Sequence, residues 1–195
     1  MSSLLGEQLY SVGVFCGSAS GTSKGYTDAA TTAGKGLAEA GLTIVYGGGS
    51  VGLMGAAADG SLNAGGAVIG VMLQSLIDRE IAHRGLTDFI VVDNMHQRKT
   101  KMADLSDAFL VLPGGAGTLE EFLEQWAWAQ LAYHKKPIAL LNTEGFFDPL
   151  LFMIDHMIQS GFLKQAYRDM LVVHDNLEDV LRGFRTYQPP GQKTY

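Results

Sequence analysis

Seven short apolar runs punctuate the chain, at residues 12–16, 42–46, 67–73, 89–92, 109–112, 138–141 and 171–173. Each is continuously apolar rather than alternating, which is the pattern of strands buried on both faces of a parallel sheet. Between them lie longer stretches with helical spacing of apolar positions, near 24–40, 52–64, 95–106, 118–133, 148–160 and 177–184. This alternation predicts an α/β protein: a doubly wound, Rossmann-like parallel sheet of about seven strands with helices on both faces. No repeat, low-complexity linker or shift in composition divides it. Residues 1–195 are therefore expected to form one domain, with a loose tail over 188–195 where Pro189-Pro190-Gly191 interrupts any regular pattern.

Composition sharpens this picture in two ways. Glycine is unusually frequent, 25 of 195 residues, so much of the backbone must turn tightly or approach something closely. Charge is sparse and leans acidic, 14 Lys and Arg against 20 Asp and Glu for a net −6, with no basic run to track a nucleic-acid backbone. DNA and RNA are not expected partners, and an anionic ligand would need a local cluster of donors working against the overall charge. Two charge-poor stretches, 41–58 and 60–77, are long enough to span a bilayer. Gly47-Gly48-Gly49 and Gly65-Gly66 interrupt them, so they read as buried strands and packed helices rather than membrane spans. The lone Cys16 has no internal partner and the first twelve residues lack a secretory pattern, so a cytoplasmic location is expected.

In a doubly wound sheet, ligands sit beyond the carboxyl ends of the strands. The exit of the fifth strand reads DAFLVLPGGAGTLEEF, residues 107–122. Pro113 ends the strand; Gly114, Gly115 and Gly117 remove the Cβ atoms that would block a ligand; Ala116 lies between them, and Thr118 is expected to begin the next helix as its N-cap. Free N–H groups and the positive end of the helix dipole would then face one small volume that fits a phosphate. A tight strand-to-helix turn that binds nothing could use the same three glycines and apolar lead-in; the phosphate reading is the one favoured here. Two further glycine-rich exits, CGSASG with Gly17 and Ser18, and YGGGSVGLMG with Gly47, Gly48 and Gly49, are expected to line the same crevice. Each alone is weak, since a lone glycine cluster often only lets a helix pack against a strand. Cys16, inside an apolar run, reads as a small buried hydrophobe rather than a nucleophile.

Glu121 follows Thr118 in the spacing Thr-x-x-Glu, which by itself describes a capping box. That does not account for an acidic pair, Glu120 and Glu121, beside an anion site, where a carboxylate repels phosphate. Either a cation compensates or the carboxylate has chemistry to do. The cation is available in DNMHQRKTKMADL, residues 93–105, where Arg98, Met102 and Leu105 share one helical face and set a guanidinium at the edge of the buried side. Lys101 reads as an ordinary solvated charge. The five histidines, His83, His96, His134, His156 and His174, show no ligand spacing, and no metal is expected.

MHQRK at 95–99, followed fourteen residues after Lys99 by PGGAGTLEE at 113–121, resembles the paired signature of the Lonely Guy (LOG) family. The resemblance extends through CGSAS, YGGGSVGLMG and residues 128–142. It implies a Rossmann-like homodimer that hydrolyses the N-glycosidic bond of cytokinin riboside 5′-monophosphates, and often of AMP, releasing free base and ribose 5-phosphate without a cofactor. Arg98 and Glu121 fall on the family's catalytic Arg and Glu. Lys99 and residues 115–121, Glu120 among them, fall on its substrate-binding positions, and Glu80 in the segment IDREI matches another. One departure is visible: many members carry Thr where this sequence has Ala127, which puts the manner of holding the substrate in question. Members have also been labelled lysine decarboxylases, yet no cofactor-binding lysine stands out here.

Cleavage of a base–ribose bond builds positive charge at the anomeric carbon, so a nearby carboxylate stabilises the transition state. Glu121 could do this electrostatically, as a general base toward water, or as a nucleophile, and the sequence leaves all three open. The principal alternative is a nucleotide- or cofactor-carrying module of the same fold without turnover. The helix at 118–133 is apolar on more than one face, through Leu119, Phe122, Leu123, Trp126, Trp128 and Leu131, which suggests a partner subunit.

Overall fold

Seven parallel strands run through the centre of the chain in a computed structural model that describes residues 9–77 and 82–189. In sequence order they are β1 (Ser11–Phe15), β2 (Thr43–Tyr46), β3 (Val68–Leu73), β4 (Asp88–Val92), β5 (Ala108–Val111), β6 (Ile138–Leu141) and β7 (Leu171–His174). The helices are α1 (Lys24–Glu39), α2 (Gly52–Asn63), α3 (Gln74–Ile77), α4 (Met95–Asp104), α5 (Ala116–Gln130), α6 (Asp148–Gln159), α7 (Gln165–Arg168) and α8 (Leu177–Thr186). All seven expected strands and all six expected helices are present, with ends shifted by up to a few residues. The one-turn helices α3 and α7 and a 3₁₀ turn at Thr143–Gly145 are additions. They are too short to carry a periodicity.

The strand order β4-β3-β2-β1-β5-β6-β7 makes this a doubly wound sheet, and the direction of winding reverses between β1 and β5. Strand residues divide between two cores by the twofold alternation of side chains. On one face Val12, Val14, Ile44, Tyr46 and Leu110 pack with Ala30 and Leu37 of α1, Leu53 of α2, and Val180 and Phe184 of α8. On the other, Phe15, Val45, Phe109 and Val111 pack with Met102 of α4, Phe122 and Trp126 of α5, and Ile154 of α6. Both cores are apolar, which is why the strands read as unbroken hydrophobic runs. The charge-poor stretches become β2, α2, β3 and α3, and no described helix is long and apolar enough to cross a membrane.

At the winding reversal Phe15 pairs with Val111, so the exits of β1 and β5 lie side by side. Gly17 then ties three loops together. Its amide donates to the Pro113 carbonyl at 3.0 Å, and its own carbonyl accepts from Leu53 and Met54 at 3.0 and 3.3 Å. The first turn of α2 is thus satisfied from within the protein.

Candidate active site

Of the three helices that begin at glycine-rich or neighbouring exits, α5 alone presents an open start. The first turn of α1 is capped by Ser23, whose side chain accepts from the Gly25 amide and donates to Glu144 at 2.9 Å. That of α2 is occupied by the Gly17 carbonyl. The N-cap of α5 is Gly115, with no side-chain cap, and the next residues Ala116 and Gly117 are exposed. Amides at the first three helical positions have no intrahelical acceptor, so Ala116, Gly117 and Thr118 contribute donors and the positive end of the dipole at this end. A Cβ added to Gly115 or Gly117 would meet nothing within 4 Å. The space beside the turn is therefore available to a ligand, and internal packing gives neither position a reason to be glycine.

This corrects one expectation. Thr118 does not cap the helix; it is the third helical residue, buried, with its hydroxyl packed where a Cβ on Gly114 would stand. The Thr-x-x-Glu spacing accordingly forms no capping box, because Glu121 lies beyond the first turn. Glu121 faces Arg98 instead, with Arg98 Nη1 to Glu121 Oε1 at 3.4 Å.

Arg98 is only 9% exposed and is fixed from several sides. Its Nε donates to the Val71 carbonyl within β3, at 2.9 Å, and its Nη1 also lies 3.8 Å from Met95 Sδ. Its Nη2 occupies the place where a side chain on Gly47 would begin. Arg98 and Met102 are buried on the same face of α4, with Leu105 half-buried beyond the helix end, while Lys101 is exposed. Burial raises the Glu121 pKa above the usual carboxylate value, Arg98 pulls it back down, Glu120 raises it, Lys99 lowers it and Glu124 raises it. Burial prevails over the guanidinium, leaving a carboxylate more basic than an exposed one.

Lys99, the next residue on α4, forms a second bridge to α5. Its ammonium donates to Glu120 at 2.6 Å and to Glu124 at 2.8 Å, and these bonds hold its pKa above the ordinary lysine value. Cys16, at the exit of β1, is buried, and burial together with the Glu121 charge raises its pKa, so it is an inert thiol.

The structure therefore brings Arg98, Lys99, Glu120 and Glu121 together beside Gly114, Gly115, Ala116, Gly117 and Thr118, with Gly47 as the wall behind Arg98. Ser18 is exposed on the β1 exit. Gly17 is buried in the loop junction. Gly48 and Gly49 are buried and make internal bonds, Gly48 accepting from the His83 amide and Gly49 from the Tyr46 hydroxyl. Glu80 lies outside the described residues. Two participants left no mark in the sequence reading. Val71 contributes a backbone carbonyl, which no side-chain pattern betrays, and Glu124 looks like a helix surface residue unless its i,i+4 spacing from Glu120 is read as a pair. Among the described residues no three His, Cys, Asp or Glu side chains converge as a metal site would require. On α5, Trp126 is buried and donates to the Tyr167 carbonyl, so the outward apolar face is formed by Leu123 and Leu131 rather than by both tryptophans.

The Chlamydomonas reinhardtii molybdenum cofactor carrier protein superposes with a TM-score of 0.69 at 22% identity, covering 90% of this chain and 96% of that one. DNA processing protein A of Helicobacter pylori superposes at 0.57 with 14% identity, covering 92% and 82%. At such identities these likenesses concern the fold alone. Residues 54–184 match the family described as possible lysine decarboxylase. A probable cytokinin riboside 5′-monophosphate phosphoribohydrolase of Oryza sativa subsp. japonica is 46% identical over 180 residues, 92% of this chain and 74% of the relative. Cytokinin riboside 5′-monophosphate phosphoribohydrolases of Arabidopsis thaliana and Rhodococcoides fascians are 45% and 44% identical, covering 90% of this chain and 77% and 89% of theirs. With Arg98 and Glu121 of the paired motifs in contact between α4 and α5 and this similarity running along nearly its whole length, the chain belongs to the Lonely Guy family.

Proposed function

We propose that this protein is a phosphoribohydrolase that cleaves the N-glycosidic bond of cytokinin riboside 5′-monophosphates, releasing free base and ribose 5-phosphate. The observation that carries the reading is the pairing of an open anion site at the start of α5 with a largely covered carboxylate about one turn further on, facing Arg98. The phosphate binds the free amides of Ala116, Gly117 and Thr118, and that remote binding energy orients the sugar. Glu121 faces the anomeric carbon and stabilises the developing positive charge, as base, nucleophile or fixed charge. Arg98, anchored by Val71, sets the position of that carboxylate and offsets the negative charge gathered around it.

AMP is a second substrate in this reading, because the contacts that grip the phosphate do not depend on a prenyl group. The protein acts as one catalytic domain spanning residues 1–195, and the exposed Leu123 of α5, with Leu131 and Tyr133 just beyond the helix end, supports a homodimer. A cytoplasmic location fits the single, buried Cys16. The decarboxylase label finds no support at this site. A Schiff-base lysine needs a lowered pKa, and the lysine beside Glu121 is held protonated between two carboxylates.

Incubation of the protein with isopentenyladenosine monophosphate, AMP and the corresponding nucleosides tests the reading by chromatography. Base and ribose 5-phosphate should appear in equal amounts from the monophosphates and far more slowly from the nucleosides. Binding of both nucleotides without release of base from either would instead favour a carrier.

A further inference from the structure

The two acceptors of Lys99 are unlike one another. Glu120 is 55% exposed, one turn above the open amides of α5, whereas Glu124 is only 23% exposed and its second oxygen is shielded without a hydrogen-bond partner. Lys99 itself is 14% exposed. Its side chain is thus largely covered, while its ammonium has one acceptor that water reaches freely and one that it reaches poorly. An anion arriving at the start of α5 meets three carboxylates, Glu120, Glu121 and Glu124, in the first turns of that helix. Among the described residues Arg98 is held by Val71 and Glu121, whereas Lys99 has one acceptor, Glu120, exposed enough to be exchanged for an arriving anion.

Resting on the phosphoribohydrolase reading, we propose that Glu124 is a positioning residue for phosphate recognition: it anchors the Lys99 ammonium beside α5 while Glu120 yields its place on that ammonium to the substrate phosphate. The exchange conserves hydrogen bonds. Lys99 gives up one charge-assisted bond to Glu120, which returns to water, and gains one to phosphate. The Glu124 bond persists through it and keeps the long side chain from wandering, so little rotamer freedom is lost on binding. Without Glu124, Lys99 collapses onto Glu120 alone and the phosphate must compete for it.

The experiment compares Glu124→Gln, Lys99→Met and the double variant, reading kcat and KM for AMP, the Kd of AMP by titration calorimetry, and thermal stability. The expected result for Glu124→Gln is a rise in KM and Kd of about tenfold, the value of one lost charge-assisted contact, with kcat changed less than about twofold. In the Lys99→Met background the same substitution should add less than about twofold, since its effect passes through Lys99. Glu124→Asp, which keeps the charge, should recover part of the loss and serves if the Gln variant folds poorly. A fall in kcat with unchanged KM, or effects that multiply fully in the double variant, would overturn the proposal. Because Kd is read independently of turnover, a protein that binds AMP but releases no base would sink the phosphoribohydrolase reading and still leave the Lys99 coupling decided.

Discussion

Gly47→Ala is a small perturbation with a large expected consequence. Gly47 does not have a left-handed backbone, so alanine is conformationally acceptable there and any penalty is steric. The new methyl would land on Arg98 Nη2, with the guanidinium carbon 3.3 Å away and Met54 Sδ at 3.6 Å. To reach ordinary contact of ~3.5 Å the guanidinium must withdraw by about 1 Å or more. That breaks the 2.9 Å bond from Nε to Val71 and opens the 3.4 Å contact with Glu121. A lost hydrogen bond to a charged group is worth about 1.5–3 kcal/mol, which as lost transition-state stabilisation is roughly 10- to 150-fold in rate. A displacement of about 1 Å in a positioning group costs on the order of 10²-fold by itself. The variant should therefore lose roughly 30- to 100-fold in kcat/KM for the nucleotide. Overpacking costs about 1–3 kcal/mol, so the Tm should fall by only about 2–10 °C and the protein remain folded at assay temperature. Kinetics of base release with a parallel melting curve decide the matter. If kcat/KM stays within about threefold of native and the Tm is unmoved, Gly47 is not glycine on account of Arg98.

Three further outcomes follow from the site and its surroundings. The acid limb of the kcat/KM profile should lie above the ordinary glutamate value of about 4.3, because burial raises the Glu121 pKa and the ionised form is the active one; a limb at or below that value would refute the assignment. Gly117→Ala, with open space at the new Cβ and better helix propensity, should hold or raise the Tm while raising KM several-fold; unchanged KM would place the phosphate elsewhere. His134 has its pKa lowered to about 4 by burial and then by Lys136, opposed by its bond to the Gln125 carbonyl. Its folded-state pKa lies below the unfolded value of about 6.5, so the unfolded chain takes up a proton first as pH falls. The penalty of protonating His134 in the folded state is absent above about pH 6.5, so stability is fully present there and is lost progressively as pH falls toward about 4. Denaturant unfolding across that range should show the slope in the native protein and a flatter one in His134→Gln.

The sheet was legible because its five inner strands are covered on both faces, so 109–112 and 138–141 could only be buried strands once length and flanking turns were considered, and the more exposed edge strands β4 and β7 still kept apolar runs. The start of α5 was not. Thr118 has the chemistry of an N-cap, but Gly115 takes that position and Thr118 is drawn under the turn against Gly114, a tertiary preference that overrides the local one. Arg98 and Glu121 could be singled out as a charge on a buried face and a carboxylate beside an anion site. Their meeting across α4 and α5 depends on helix placement that spacing does not encode. The grip of Val71 on Arg98 is a backbone contact, silent in any residue pattern. The sequence singled out the exit of the fifth strand among the three glycine-rich turns but not the physical reason, which lies in what fills each helix start, the Ser23 side chain at α1, the Gly17 carbonyl at α2 and no side-chain cap at α5.

The central claim is that Glu121 is the reacting carboxylate and not a structural partner of Arg98, and Glu121→Gln tests it most directly. Burial holds the folded-state pKa of Glu121 above its unfolded value even with Arg98 present. The ionised carboxylate therefore costs stability above that folded pKa, and the cost disappears as pH falls through it. Glutamine removes that cost but leaves the enclosed Arg98 without its counter-charge, so a melting curve at pH 7 accompanies the assay to show that the variant is folded. Base release from saturating isopentenyladenosine monophosphate, measured alongside nucleotide Kd, should fall by at least about 10²–10³-fold with binding retained. A variant that binds the nucleotide and still releases base within about tenfold of the native rate would contradict the account.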